Sequence, residues 1–303
     1  MIIISPENRI LRDVLTKRFK SQNERIPCDI VIADFDGVTY HILTLREETN
    51  VVYVSVSIRI FEELLNFGAQ DILTRIYGDL IVDPEEGYDF SLRIDLEEKK
   101  SDAAKIIKDV ALLRRNIIGA PFLFVFEAVS RGEDLGDQTA KFEYRSEESI
   151  FLKPSTDKVT VVFSILFKDK DDQVFGQVFL KEFASQAKKV RNAPYVTYSK
   201  VPPQEIEDFQ LKERDDVAYL SVVLFERHFD TRKRGTSVDL IPSLRDYIHY
   251  HLKCCKAYLH QRMRARVNEF YKVLNRARPQ IENKEKKTMS GRTFKQQKTV
   301  KRW

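Results

Sequence analysis

From Ser243 to Arg278 the chain reads SLRDYIHYHLKCCKAYLHQRMRARVNEFYKVLNRAR, its longest run without glycine or proline. Those two residues interrupt helices most readily, glycine through backbone freedom and proline through its missing N–H. Ser237 or Asp239 can cap the start, Pro242 fits a first turn, and helices tend to stop just before a proline such as Pro279. The sequence therefore predicts one helix over 239–278, about 40 residues and about 60 Å long at 1.5 Å per residue. Such a rod is longer than a domain built from half of the chain is wide. Much of it needs a surface beyond its own domain.

Its two faces differ. Leu244, Ile248, Leu252, Cys255, Leu259, Met263, Val267, Phe270, Leu274 and Ala277 recur at three- and four-residue steps, the spacing of one helical face. Tyr247, His251, Tyr258 and Tyr271 widen that seam. The opposite face carries Lys253, Lys256, Arg262, Arg264, Arg266, Lys272, Arg276 and Arg278, with little acid beyond Glu269. The basic sign continues in a tail over 279–303, through Lys284, Lys286 and Lys287 to Arg302. A charge run is commonly just a solvated face. Here like charges repel along helix and tail, which points to an acidic partner.

Composition limits the alternatives. The 303 residues suggest two domains, each large enough for a core. The 51 Lys and Arg against 46 Asp and Glu leave a net charge of only +5, so the placement of charge matters more than its sum. Three cysteines, two of them adjacent, make a poor disulfide framework and suggest a reducing compartment, the cytoplasm. The first residues, MIIISPENRI, lack the basic start and long apolar stretch of a signal peptide. No run approaches the ~20 apolar residues of a membrane span.

The remaining segments alternate between strand and helix patterns. PENRILRDVLTKRF is an amphipathic helix, and CDIVIADFD, VTYHILTL and VVYVSVSIRI are strands. A helical stretch from Ile60 to Gly78 leads to the strand YDFSLRIDL and then to a helix capped at Ser101. Gly119-Ala120-Pro121 reads as a break, after which a similar order returns. FLFVFEAVSR is a short helix; KFEYR, SIFLKP and KVTVVFSILF are strands. QVFGQVFLKEFASQAKKV reads as strand then helix, PYVTYSK and AYLSVVLF as strands, and KDKDDQ and VPPQEIEDFQLKERDD as polar loops. The expectation is an α+β fold of two similar domains, 1–120 and 121–303, each a mostly antiparallel sheet flanked by helices, with the long helix in the second.

Three stretches invite chemistry. His251 and Cys255, at i and i+4, share a helix face and offer half of a zinc site. His249 and Cys254 point elsewhere, and one straight helix cannot surround a tetrahedral ion, so packing is the better reading. DFDG after an apolar strand resembles the nucleophile motif of haloacid dehalogenase-like hydrolases, with Asp34 attacking and Asp36 as acid/base. Val38 stands where that motif has Thr or Ser, and the alternating VTYHILTL makes Asp36-Gly37 a two-residue hairpin turn. His41 and His228 have no Ser or Cys partner at recognisable spacing, and no glycine-rich phosphate loop exists. The RxRxR run with its basic tail fits nucleic acid as a rival, but Phe270 and Tyr271 lie in or beside the apolar seam rather than on a stacking platform. The chain reads as no enzyme, with no cofactor, no metal and no nucleic acid.

ADFDGVTYHI, VTVVFS with FKDKDD, LRDYIHYHLKCCKAYLHQRMRARVNEFYKVLNRARP and KTMSGRTF, in that order, resemble the family of subunit 2 of the actin-related protein 2/3 complex. The likeness runs from Met1 to about Phe294; Cys255 falls where the family often has a smaller polar residue. The resemblance implies two related α/β domains and a long helix paired with subunit 4 of the same complex. On this reading Leu244, Ile248, Leu252, Cys255, Leu259, Met263, Phe270 and Leu274 form the partner-helix interface. Arg262, Arg264, Arg266, Lys272, Arg276, Arg278, Lys284, Lys286 and Lys287 would face an actin filament. The implied role is a scaffold that holds the two actin-related proteins and supports branched filament nucleation. Implied places are the cytoplasm, the actin cytoskeleton, cell projections and cortical actin patches.

Overall fold

The computed structural model describes residues 5–20, 26–136, 138–277, 286–287 and 293–294. The chain forms two compact units, Met1–Lys253 and Cys254–Trp303. The first opens with helix α1 (Arg9–Lys20), which buries Leu11, Leu15 and Phe19 at four-residue steps. The Asn8 side chain caps it, accepting from the Ile10 and Leu11 N–H groups at 3.0 and 3.1 Å.

Two five-stranded sheets follow. The first holds β1 (Cys28–Ala33), β2 (Thr39–Thr44), β3 (Val51–Ser57), β4 (Ile81–Val82) and β5 (Phe90–Asp95), in the order β1-β2-β3-β5-β4. The second holds β6 (Ala140–Arg145), β7 (Glu148–Pro154), β8 (Lys158–Leu166), β9 (Tyr195–Ser199) and β10 (Val217–Phe225), in the order β6-β7-β8-β10-β9. Every neighbouring pair is antiparallel. In both halves three consecutive strands precede a helical crossover. An edge strand follows, and the next strand inserts inside it. The crossover is α2 (Phe61–Leu65) with α3 (Ala69–Tyr77) in the first half and α6 (Lys170–Ala187) in the second. Shared topology thus supports the repeat expected from element order.

Helices close each half: α4 (Ala103–Ala111) and α5 (Leu113–Ser130), then α7 (Glu226–Phe229) and α8 (Arg234–Arg276). The division expected between 120 and 121 falls inside α5, which runs straight through Gly119-Ala120-Pro121. These three residues are buried, and the Val238 side chain of α8 packs where a Gly119 Cβ would lie, 2.4 Å from it. Glycine here marks a close helix contact instead of a break. Residues of both sheets also join one continuous hydrophobic core. In α6 the strand-like start is helical, because Asp172, Gly176, Leu180 and Ala184 face inward at four-residue steps. A Cβ on Gly176 would stand 2.4 Å from the Phe167 ring. The polar loop after Val201 contributes fully buried Ile206 to a second apolar cluster with Phe151, Val162 and Tyr219.

Candidate functional site

The long helix starts at Arg234, a turn earlier than expected, so Pro242 lies well inside it. Up to Lys253 it belongs to the first unit. There Val238, Ile241, Leu244, Ile248 and Leu252 are buried in the chain's own core. This corrects the expected interface: Leu244, Ile248 and Leu252 continue the apolar seam, but their side chains are already covered and not available to a partner.

From Cys254 the same seam is bare. Cys255 is exposed, Leu259 is 38% exposed, Met263 64%, Phe270 62% and Leu274 42%. Val267 and Tyr271 are exposed as well. Scattered exposed apolar residues are ordinary, but a continuous stripe of them marks a surface made to be covered. Around it Arg262, Arg264, Arg266, Lys272 and Arg276 are exposed, with Glu269 the one acid between them. The Arg262 guanidinium donates to the Tyr258 hydroxyl at 3.1 Å and lies over that ring. Lys286–Lys287 pairs with Thr293–Phe294 as a short antiparallel ladder. Arg278 and Lys284 lie outside the described residues.

The acidic motif at Asp34 and Asp36 belongs to a buried ion cluster that the sequence reading missed. It gathers the β1–β2 turn, the start of α5, the β6–β7 hairpin and α8. The Arg114 Nη2 donates to Asp36 at 3.1 Å and to Asp246 at 3.3 Å, and Asp34 lies 3.7 Å from its Nη1. Arg145 donates to Asp246 at 2.7 Å and also grips Asp36. Next to it Arg245 donates to Glu148 at 2.7 Å, which also accepts from the Leu166 N–H at 2.9 Å. The Asp36 and Asp246 side chains are only 6% exposed. Burial, then the charge of Asp36, pushes the Asp246 carboxyl up despite three arginines.

In this cluster both carboxylates of the DFDG motif are tied to their own chain. Asp34 Oδ1 accepts from the Phe35 N–H at 2.8 Å, and Oδ2 accepts from the Asn8 amide at 2.9 Å. Asp36 pairs with Arg114 and Arg145. The turn is a hairpin, as expected, but wider than two residues: Phe35–Gly37 forms a short 3-10 turn, with Asp36 at φ 62° and Gly37 at φ 73°. Two of the three histidines of α8 pack against rings. His251 lies 4.2 Å from Tyr247 edge-on and stacks on Phe179 at 6.4 Å, and His249 stacks on Phe167 at 6.2 Å. No group of three metal-ligating side chains occurs among the described residues.

A cavity of about 400 Å³ lies between α8, the start of α6 and the β6–β7 hairpin, lined by His249, Arg245 and Lys253 against Asp169, Asp172 and Glu148. Its charges of both signs favour no one ligand class. Burial and the nearby Arg245, Arg145 and Lys253 push the His249 pKa down to about 3, so this imidazole stays neutral. No helix among the described residues is long and apolar enough to cross a membrane.

The model of the family described as Arp2/3 complex, 34 kD subunit p34-Arc matches residues 54–281. A protein of Schizosaccharomyces pombe named actin-related protein 2/3 complex subunit 2 is 39% identical over 317 residues, covering 97% of this chain and 99% of that relative. The protein of the same name from Dictyostelium discoideum is 37% identical over 300 residues, covering 98% and 100%.

Proposed function

The chain belongs to the p34-Arc family of Arp2/3 complex subunits, and from that premise we propose that it works as a non-enzymatic scaffold whose bare helix is clasped by subunit 4. The observation that carries the reading is the exposed stripe of Leu259, Met263, Phe270 and Leu274. Burying it recovers about 25 cal/mol per Å² of apolar surface, and two helices joined along such a stripe make an interface of obligate character. The scaffold so formed holds the two actin-related proteins. The cations Arg262, Arg264, Arg266, Lys272 and Arg276, with Arg278, Lys284, Lys286 and Lys287, face the acidic side of a mother filament. Each exposed pair contributes about 0.2–1 kcal/mol, so the contact depends on many of them together. Branch nucleation by the actin-related proteins then starts from a scaffold fixed to the filament. The sites of action are the cytoplasm and the actin cytoskeleton, with cell projections and cortical patches as places of branched growth.

The test is co-purification. Changing Leu259, Met263, Phe270 and Leu274 together to alanine removes the anchors, and subunit 4 should no longer be retained on the tagged chain. Full retention would mean that the stripe is not the interface.

A further inference from the structure

His41 sits in the middle of β2, directly opposite Val31 on β1 and Ser55 on β3, and Ser55 is opposite Ser91 on β5. Directly opposed side chains share a sheet face. Tyr40 and Ile42, the neighbours of His41, point into the core, so the His41–Ser55–Ser91 row lies on the outer face. The segment 83–89 crosses that row. The Glu85 N–H donates to Ser91 Oγ at 3.0 Å, and the Ser91 hydroxyl donates to Ser55 Oγ at 2.9 Å. Tyr88 stacks on the His41 ring at 5.6 Å, with 18° between the planes. A turn from Glu85 to Tyr88 bends the segment back, with Gly87 at φ 84°.

Both imidazole nitrogens meet carboxylates. Nδ1 lies 2.8 and 2.9 Å from the two Glu85 oxygens, and Nε2 lies 3.0 Å from Asp29 Oδ1. A neutral imidazole carries one N–H and can satisfy only one of these acids. Its other nitrogen would turn a lone pair toward a carboxylate. Only the doubly protonated ring donates to both, and it then carries the charge that both acids favour.

We propose that His41 is a pH-dependent clasp that straps segment 83–89 across the outer face of the first sheet, fastened when the ring is protonated and loosened when it is not. The groups that face the ring are Asp29 from β1, Glu85 and Tyr88 from the strap, and the uncharged Ser55 from β3. Burial alone would push the imidazole down from its ordinary 6.5; the hydrogen bonds and charge of Glu85 and Asp29 outweigh it and hold the group above that value. The clasp therefore acts fully below pH 6.5 and is lost as pH rises through the raised value.

The experiment is hydrogen exchange by mass spectrometry on the assembled complex from about pH 6 to about pH 9. Slow exchange at the His41 ring C2–H reports its titration, and amide exchange over 83–89, corrected for the chemical rate, reports the strap. The His41 midpoint should lie above 6.5. Opening of the strap should grow by up to tenfold per pH unit between 6.5 and that midpoint, then level off. Peptides of β2 and β3 should hold constant. In His41→Gln the strap should exchange at one pH-independent level. If that variant fails to fold, Glu85→Gln removes the acid on the strap alone and should flatten the profile in the same way. A midpoint at or below 6.5, a pH-independent strap in the unsubstituted protein, or an unchanged slope in the substituted one would overturn the clasp.

Discussion

Arg114 touches three carboxylates from two distant parts of the sequence, Asp34 and Asp36 in one turn and Asp246 in α8. Removing one member of a buried ion cluster leaves the others unpaired, typically at a cost of about 3–5 kcal/mol. Arg114→Met should therefore lower the urea midpoint strongly. Asp246→Asn should lower it less, since it also relieves the repulsion between Asp246 and Asp36. His249 makes a pH prediction of the opposite sign to the clasp. Its pKa is depressed to about 3, so its stabilisation is present above 6.5, the ordinary value, and is lost as pH falls below it. His249→Gln should reduce the loss of stability between pH 6.5 and about 4 by up to one proton in slope, as read from urea midpoints across that range. None of this was legible beforehand. Charged partners carry no periodicity, and Arg114, Arg145 and Asp246 meet only because two sheets and two helices bring them together. DFDG drew attention as a nucleophile motif; in the fold, Asp34 and Asp36 are the acids of the ion cluster.

At the scale of elements, apolar period served well wherever one face is buried. Alternation located the main strands, and the three- and four-residue steps located α1 and α8 almost to the turn. It failed where burial is all round. The α5 helix passes through Gly119 and Pro121, because being buried on every side outweighs their poor helix propensity. Gly119→Ala should cost about 1–3 kcal/mol by forcing Val238 aside, measured by chemical denaturation. The same helical period also hid a division within α8. Leu252 and Leu259 follow one stripe in the sequence, but the first is buried in its own chain and the second is bare. Leu252→Ala should lower the chain's own stability by about 2–5 kcal/mol, whereas Leu259→Ala should leave it nearly unchanged. Equal losses would show that the bare half is covered within the chain.

For the molecule as a whole, two sheets of identical strand order support the repeat read from element order, and the boundary expected at 120 lies inside α5. The two halves share one core and one ion cluster, and nothing in local composition betrays that. The family was legible mainly because the sequence of the long helix, RDYIHYHLKCCKAYLHQRMRA, is long and unusual enough to carry the resemblance. Reversing Arg264, Arg266 and Arg276 to glutamate should weaken co-sedimentation with actin filaments while the complex stays whole. Salt should weaken the unsubstituted protein in the same assay, since screening reaches ~8 Å at physiological strength. Radical footprinting reads how far the stripe is covered. Met263 and Phe270 should oxidise readily in the chain alone and become protected several-fold once subunit 4 is bound. Equal oxidation in the two states would contradict that coverage.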